Sequence, residues 1–146
     1  MSDVAESITT DYVESAGYVK LILPEGEIDF VAATGLTTPG FEEWDIQGKV
    51  VRVETAAEII AKKMWHRGDR VTARDLFDLA LVAQLAPDSL NEAGRFIVRH
   101  RDAFLEQLRT RKPVLQMSFD EIDVMAGSAT FDECVTVAQE YLHGLP

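Results

Sequence analysis

The stretch TARDLFDLALVAQLAP, Thr72–Pro87, constrains the fold more than any other part of the chain. Thr72 opens a helix, since its hydroxyl can take a backbone N–H of the first turn, and Asp75 suits the positive end of the dipole. Behind them Leu76, Phe77, Leu79, Ala80, Leu81 and Ala83 are apolar nearly all round, and Pro87 stops the helix. A helix with so little polar face belongs at the centre of its domain. Other elements must therefore wrap it.

Helix signals surround it on both sides. TAAE (Thr55–Glu58) reads as a capping box, with Ile59, Ile60, Lys63 and Met64 following at helical spacing and Gly68 closing the element. SLNE (Ser89–Glu92) predicts the cap of a long helix whose stripe is Leu90, Ala93, Ile97, Val98, Phe104, Leu105 and Leu108. SFDE (Ser118–Glu121) and TFDE (Thr130–Glu133) predict two further caps.

Upstream the period changes. YVKLIL (Tyr18–Leu23) and EIDFVAAT (Glu27–Thr34) flank the turn residues Pro24–Gly26, so they read as a hairpin. Residues 35–48 read as an irregular connection, and KVVRVET (Lys49–Thr55) as a third strand. The order predicts an α+β fold, a small antiparallel sheet of about three strands followed by a bundle of about five helices. Residues 1–16 are expected to be a flexible or partner-bound lead-in. Residues 17–146 then form one domain, strands over 17–54 and helices over 55–146. Three strands make a sheet too small to be covered from within, so an uncovered edge invites a partner or a homodimer.

Of 146 residues, one is a cysteine, Cys134, so no internal disulfide forms, and no Cys/His spacing suits zinc. No apolar run approaches the roughly 18–20 residues that span a bilayer, and the acidic start MSDVAESITTDYVES lacks a secretion pattern, so a cytoplasmic protein is expected. The net charge of −11 argues against broad nonspecific binding to nucleic acid. It is unevenly spread: residues 49–112 hold thirteen Lys/Arg against nine Asp/Glu, a local +4. That segment permits a phosphate-bearing ligand.

Within it, AKKMWHRGDRVTARDLFDLAL (Ala61–Leu81) crowds opposite charges beside core positions. Glu58 reads as the cap partner of Thr55, and Lys62 as its exposed i,i+4 neighbour. Lys63 shares a face with Ile59 and so needs an acid or a phosphate. Asp78 lies beyond the first turn of its helix, between Phe77 and Leu79, where a carboxylate requires a cation. Lys63, Arg67 and Arg74 are the candidates, and the expected pairing joins Lys63 to Asp75 or Asp78 across two helices. For a fully buried pair, removing Asp78 would cost about 3–5 kcal/mol. His66, beside Trp65, reads as a cap or packing residue. Trp44, Phe41 and Trp65 are candidates for an exposed partner surface.

The segment VETAAEIIAKKMWHRGDRVTARDLFDLA, together with GEIDFVAAT before it, resembles the nucleotidyltransferase AbiEii/AbiGii toxin family. The resemblance covers roughly residues 18–84, and the pairing of EIIAKK with RDLFDL at this separation is its most specific part. It implies a nucleotidyltransferase core with a helical bundle, transfer of a nucleotidyl group from an NTP to an acceptor such as tRNA, Mg²⁺ as cofactor, and an antitoxin as partner. It also implies roles: Asp29 as a metal-binding acid, Lys63, Asp75 and Asp78 as catalytic positions, and Lys63, Arg67 and Arg74 around the nucleotide. The family's G-S…D-x-D element, which carries two more metal-binding acids, does not precede Asp29 in this sequence. GSATFDEC (Gly127–Cys134) resembles it superficially, but its spacing is too short and Thr130 explains it as a helix cap. The expectation is a nucleotidyltransferase-like chain, inactive alone and partnered by an N-terminal half, or else a non-catalytic nucleotide-binding, partner-binding or dimerising module.

Overall fold

The switch from period two to period 3.6 falls at Thr55, and the backbone follows it. The computed structural model describes residues 7–122 and 129–146, and the chain divides into two compact units, Met1–Gly35 and Leu36–Pro146. Residues 1–6 of the expected lead-in and Gly127–Ser128 of GSATFDEC lie outside the described residues.

In the first unit β1 (Tyr12–Ser15), β2 (Tyr18–Leu23) and β3 (Gly26–Val31) form a three-stranded antiparallel sheet in that order. The β2–β3 hairpin turns at Pro24–Glu25, as the turn residues predict. β1 was not expected, since Tyr12–Ser15 fall in the segment read as lead-in. Opposed residues share a face, so Val19, Leu21, Leu23, Ile28 and Phe30 lie on one side and Tyr18, Lys20, Ile22, Glu27 and Asp29 on the other. Among the described residues of this unit only Leu21 is buried.

The second unit begins with β4 (Phe41–Ile46) and β5 (Lys49–Glu54), a separate two-stranded ribbon. Two expectations change here. Residues 41–46 are a strand rather than irregular, and the Lys49 strand pairs with it instead of joining the first hairpin. The reason is the Gln47–Gly48 turn. Both residues have positive φ, 54° and 76°, the two-residue geometry whose twist matches the strands, and Asp45 Oδ1 accepts the Gly48 N–H at 2.8 Å.

Helices follow: α1 (Ala56–Arg67), α2 (Ala73–Leu85), the four-residue α3 (Gly94–Ile97), α4 (Arg101–Thr110), α5 (Lys112–Asp120) and α6 (Phe131–Gly144). Five of these are nine residues or longer, and the whole is an α+β fold with a small antiparallel sheet. α2 is central, packed by α1, α5 and α6, with Leu76 and Leu79 fully buried. Phe77, Phe119 and Phe131 join α2, α5 and α6 edge to face, at 6.0 and 5.5 Å between centroids. Beyond Phe77 the end of α2 opens on a groove of about 770 Å³ beside α6.

The long helix expected after Ser89 is broken into two 3-10 turns, α3 and α4. The Ser89 hydroxyl donates to the Ala86 carbonyl at 2.7 Å and makes no N-cap bond. The predicted stripe still finds the core, with Leu90, Ala93, Ile97, Phe104 and Leu108 buried. The break lets the 98–100 turn come close to the end of α1, where a Cβ on Gly68 would stand 2.8 Å from His100 Cβ. Ser118 likewise caps nothing: α5 begins at Lys112, with Pro113 in its first turn, and runs through Ser118. Thr130 does cap α6, with Glu133 completing the box. Cys134 is buried on that helix, and burial pushes its thiol above the usual range, which suppresses the thiolate.

Candidate functional site

α1 buries Ala57, Glu58, Ile60, Ala61 and Met64. Lys63 stands at the border of that stripe, 21 % exposed, and Ile59 is on the solvent side, so the two do not share a buried face. Across from it, the Thr72 cap fixes the first turn of α2. The hydroxyl of Thr72 accepts the Asp75 N–H at 3.2 Å, and Asp75 Oδ2 accepts the Thr72 hydroxyl at 2.7 Å and its N–H at 3.3 Å. This capping box presents Asp75 and, one turn on, Asp78 to α1.

The expected inter-helix pair is there. Lys63 Nζ donates to Asp78 Oδ2 and stands 3.7 Å from Asp75 Oδ1. Arg67, one turn further along α1, donates to the same Asp75 oxygen at 2.6 Å. Two cations and two carboxylates therefore form one cluster on two successive helices. Asp75 is 4 % exposed and both its oxygens are engaged, one by the cap and one by the cations. That satisfies it as a structural hub. Asp78 is 24 % exposed, so the full penalty for a buried charge does not apply. Its Oδ2 is committed to Lys63. Arg67 is half exposed, and one of its five donors is engaged by Asp75. Arg74 is exposed and makes no ion pair among the described residues. His66 is exposed at the end of α1, and Trp65 is half buried.

The carboxylate that sequence reasoning misjudged is Glu58. Its N–H is capped by Thr55, but its side chain makes no return bond to the cap. It turns inward, 1 % exposed, and accepts the Leu36 N–H at 3.0 Å, the Thr37 N–H at 2.7 Å and the Thr37 hydroxyl at 2.7 Å. Lys62 joins it at 3.1 Å and also reaches Glu54 at 2.5 Å, so the expected exposed pair is in fact mostly buried. Burial pushes the Glu58 carboxyl up, yet Thr37, Leu36 and Lys62 pull harder, and the net shift is below the usual carboxylate range. The i,i+4 spacing to Lys62 was the only local signal; the loop partners lie more than twenty residues away.

Asp29 belongs to the first unit. It is 53 % exposed on β3, with the Lys20 ammonium 3.8 Å away and Glu27 beside it on the same face. Lys20 also bonds Glu27 at 2.5 Å. That hydrogen bond holds its ammonium above the usual value against the opposite push of burial, and the charge of Asp29 adds to it. No group of three His, Cys, Asp or Glu side chains among the described residues could hold a metal ion. A divalent cation wants several oxygen ligands. Two exposed carboxylates already facing one ammonium do not make such a set. Among the described residues no helix is long and apolar enough to cross a membrane.

Comparison with known proteins supplies a family for the chain. A family model described as the nucleotidyl transferase AbiEii toxin of type IV toxin–antitoxin systems matches residues 15–135, which includes Asp29, Lys63, Arg67, Asp75 and Asp78. No curated protein and no solved structure matches the chain. Membership implies nucleotide substrates, an antitoxin as partner and the divalent metal such transferases generally use. With well over half its length matched, this chain belongs to the AbiEii nucleotidyl transferase toxin family.

Proposed function

We propose that the α1–α2 cluster is the phosphate-binding half of a nucleotidyltransferase site, and that these 146 residues do not transfer a nucleotide by themselves. The observation that supports this most is the Lys63 arrangement. Asp75 and Asp78 hold the ammonium at the border of the core, and the half-exposed Arg67 stands one turn away. A triphosphate would meet the third proton of Lys63, the outward edge of Arg67 and the unpaired Arg74. Asp75 and Thr72 orient the cations; Asp78 restrains Lys63 and keeps a second oxygen for an acceptor hydroxyl. Mg²⁺, when bound, neutralises phosphate charge. The donor set around Asp29 does not supply its ligands, which is the ground for expecting no turnover.

Two measurements test this. Calorimetric titration with each NTP should show binding that Lys63→Met weakens at least about tenfold, the effect of losing one charge-assisted phosphate contact. No binding by the unaltered protein would remove the nucleotide reading. Incubation with Mg²⁺, labelled NTPs and tRNA should give no labelled tRNA. Measurable transfer would show that the chain is sufficient, and the second half of the proposal would fail.

A further inference from the structure

Six of the thirteen basic side chains in residues 49–112 have no carboxylate within 4 Å among the described residues, although the chain carries 25 acids. Two of those six are built into one surface. Trp65 of α1 and Phe96 of α3 meet edge to face at 5.8 Å and 84°. The Arg99 guanidinium lies over the Trp65 ring at 4.2 Å from its centroid, and that of Arg95 over Phe96 at 4.7 Å. Both arginines are exposed while both rings are half buried. Arg95 reaches one further acceptor, the Leu36 carbonyl at 3.5 Å.

Stacking occupies the face of a guanidinium and leaves its N–H edge directed outward. Two such edges, four residues apart and about 6 Å along a helical path, offer repeated anchors for an extended polyanion. The planes offer something more. Guanidinium and aromatic faces are both surfaces on which unpaired bases stack. Trp65 is two residues from both Lys63 and Arg67, about 200° round the helix, so this surface is on the other flank of α1 from the ion-pair cluster. The acidic remainder of the chain opposes broad adhesion to duplexes, so binding would be confined to this patch.

We infer that Arg95 and Arg99, stacked on Phe96 and Trp65, form a binding surface for single-stranded RNA. As the docking surface of an acceptor strand it rests on the transfer reading above; strand binding itself does not.

The test uses the full chain with Trp44→Phe, so that Trp65 is the sole tryptophan. A fluorescently labelled, unstructured RNA of about ten nucleotides should raise anisotropy and quench Trp65 in low salt. Arg99→Ala and Arg95→Ala should each weaken binding at least about fivefold, the low end for one stacked base. Each should also lower the salt slope by about one. Arg99→Lys, which keeps charge and loses the plane, should recover the salt slope without the quench. Circular dichroism guards against misfolding, and all three side chains are exposed positions. No binding by the parent, or unchanged binding by the double Arg95→Ala/Arg99→Ala variant, overturns the inference. So does equal binding of a polyglutamate peptide, which would point to a protein partner. Lys63→Met should leave RNA binding intact; if NTP binding fails and RNA binding stands, only the reading of the other flank falls.

Discussion

Three lysines among the described residues each stand between two carboxylates, and two of these places could hardly differ more. On the β2–β3 hairpin Lys20 faces Glu27 and Asp29; between α1 and α2 Lys63 faces Asp75 and Asp78. The inventory of charges is the same. On the hairpin both acids are more than half exposed, each has one cation and no backbone donor among the described residues, and water competes for every bond. Between the helices Asp75 is buried, tied to its own cap and held by a second cation, Arg67. Exposed pairs contribute little because solvent and salt screen them, whereas pairs fixed by neighbouring bonds keep most of their Coulomb energy. A motif carries residue types from one sequence to another; packing decides which of them acquire an environment in which charge does something.

The strongest way to sharpen this contrast lies at its buried extreme. Glu58→Ala removes the acceptor of two backbone N–H groups and a hydroxyl and leaves Lys62 leaning on exposed Glu54. Unsatisfied buried donors cost about 1–3 kcal/mol each, so the loss should reach about 3–4 kcal/mol in urea denaturation followed by helical circular dichroism. A loss under about 1 kcal/mol would mean that the loop bonds re-form with water, and burial would cease to be the deciding variable. The same carboxyl gives a pH signature. Its folded pKa lies below the unfolded value, so its contribution is complete above the unfolded carboxyl pKa, about 4.3, and is lost as pH falls through the folded value. Glu58→Gln should flatten that acid limb, visible as a smaller drop in denaturation midpoint between neutral and acidic solution.

Next come the two aspartates of the cluster. Asp75→Ala loses a capping box, about 1 kcal/mol, and the bond to Arg67, whose exposure lets water take over part of the loss. A total of about 2–3 kcal/mol is expected. Asp78→Ala breaks one half-buried pair and should cost about 1 kcal/mol, well short of the value for a fully buried charge. Equal or reversed effects in parallel denaturation curves would show that cap and second cation are not what separates the two positions.

How far the sequence alone reached follows from the range of each interaction. The α2 start, the Thr130 cap and the β2–β3 turn depend on residues within four positions of one another, and they were legible. So was the bond from Lys63 to Asp78, because two consecutive helices joined by a short turn must lie side by side. Glu58 was misread because its partners belong to a loop whose path no local pattern encodes. The stripe from Leu90 to Leu108 was found, but the breaks within it were not, since a hydroxyl bonding backward at Ser89 and a turn brought close to Gly68 leave no mark in the apolar spacing. The stacking of Arg99 on Trp65 joins residues more than thirty apart and left no trace in spacing. β4 was hidden because Gln47, an uncommon residue at positive φ, does not announce a hairpin turn.

The smallest effect is the one that tests the exposed end of the contrast. Asp29→Asn removes one carboxylate from a position half open to water, where a surface substitution changes stability by no more than about 0.5 kcal/mol. Amide exchange across β2 and β3 should therefore stay within that margin of the parent, and adding millimolar Mg²⁺ should alter neither protein, since two carboxylates at most, sharing an ammonium, make a poor oxygen cage. Slower exchange on addition of Mg²⁺ in the parent and not in Asp29→Asn would mean that the hairpin face gathers ligands around the ion. Lys20 would then be a placeholder rather than the settled partner of Glu27 and Asp29, and the two lysine-centred clusters would differ in what they await rather than in how they are packed.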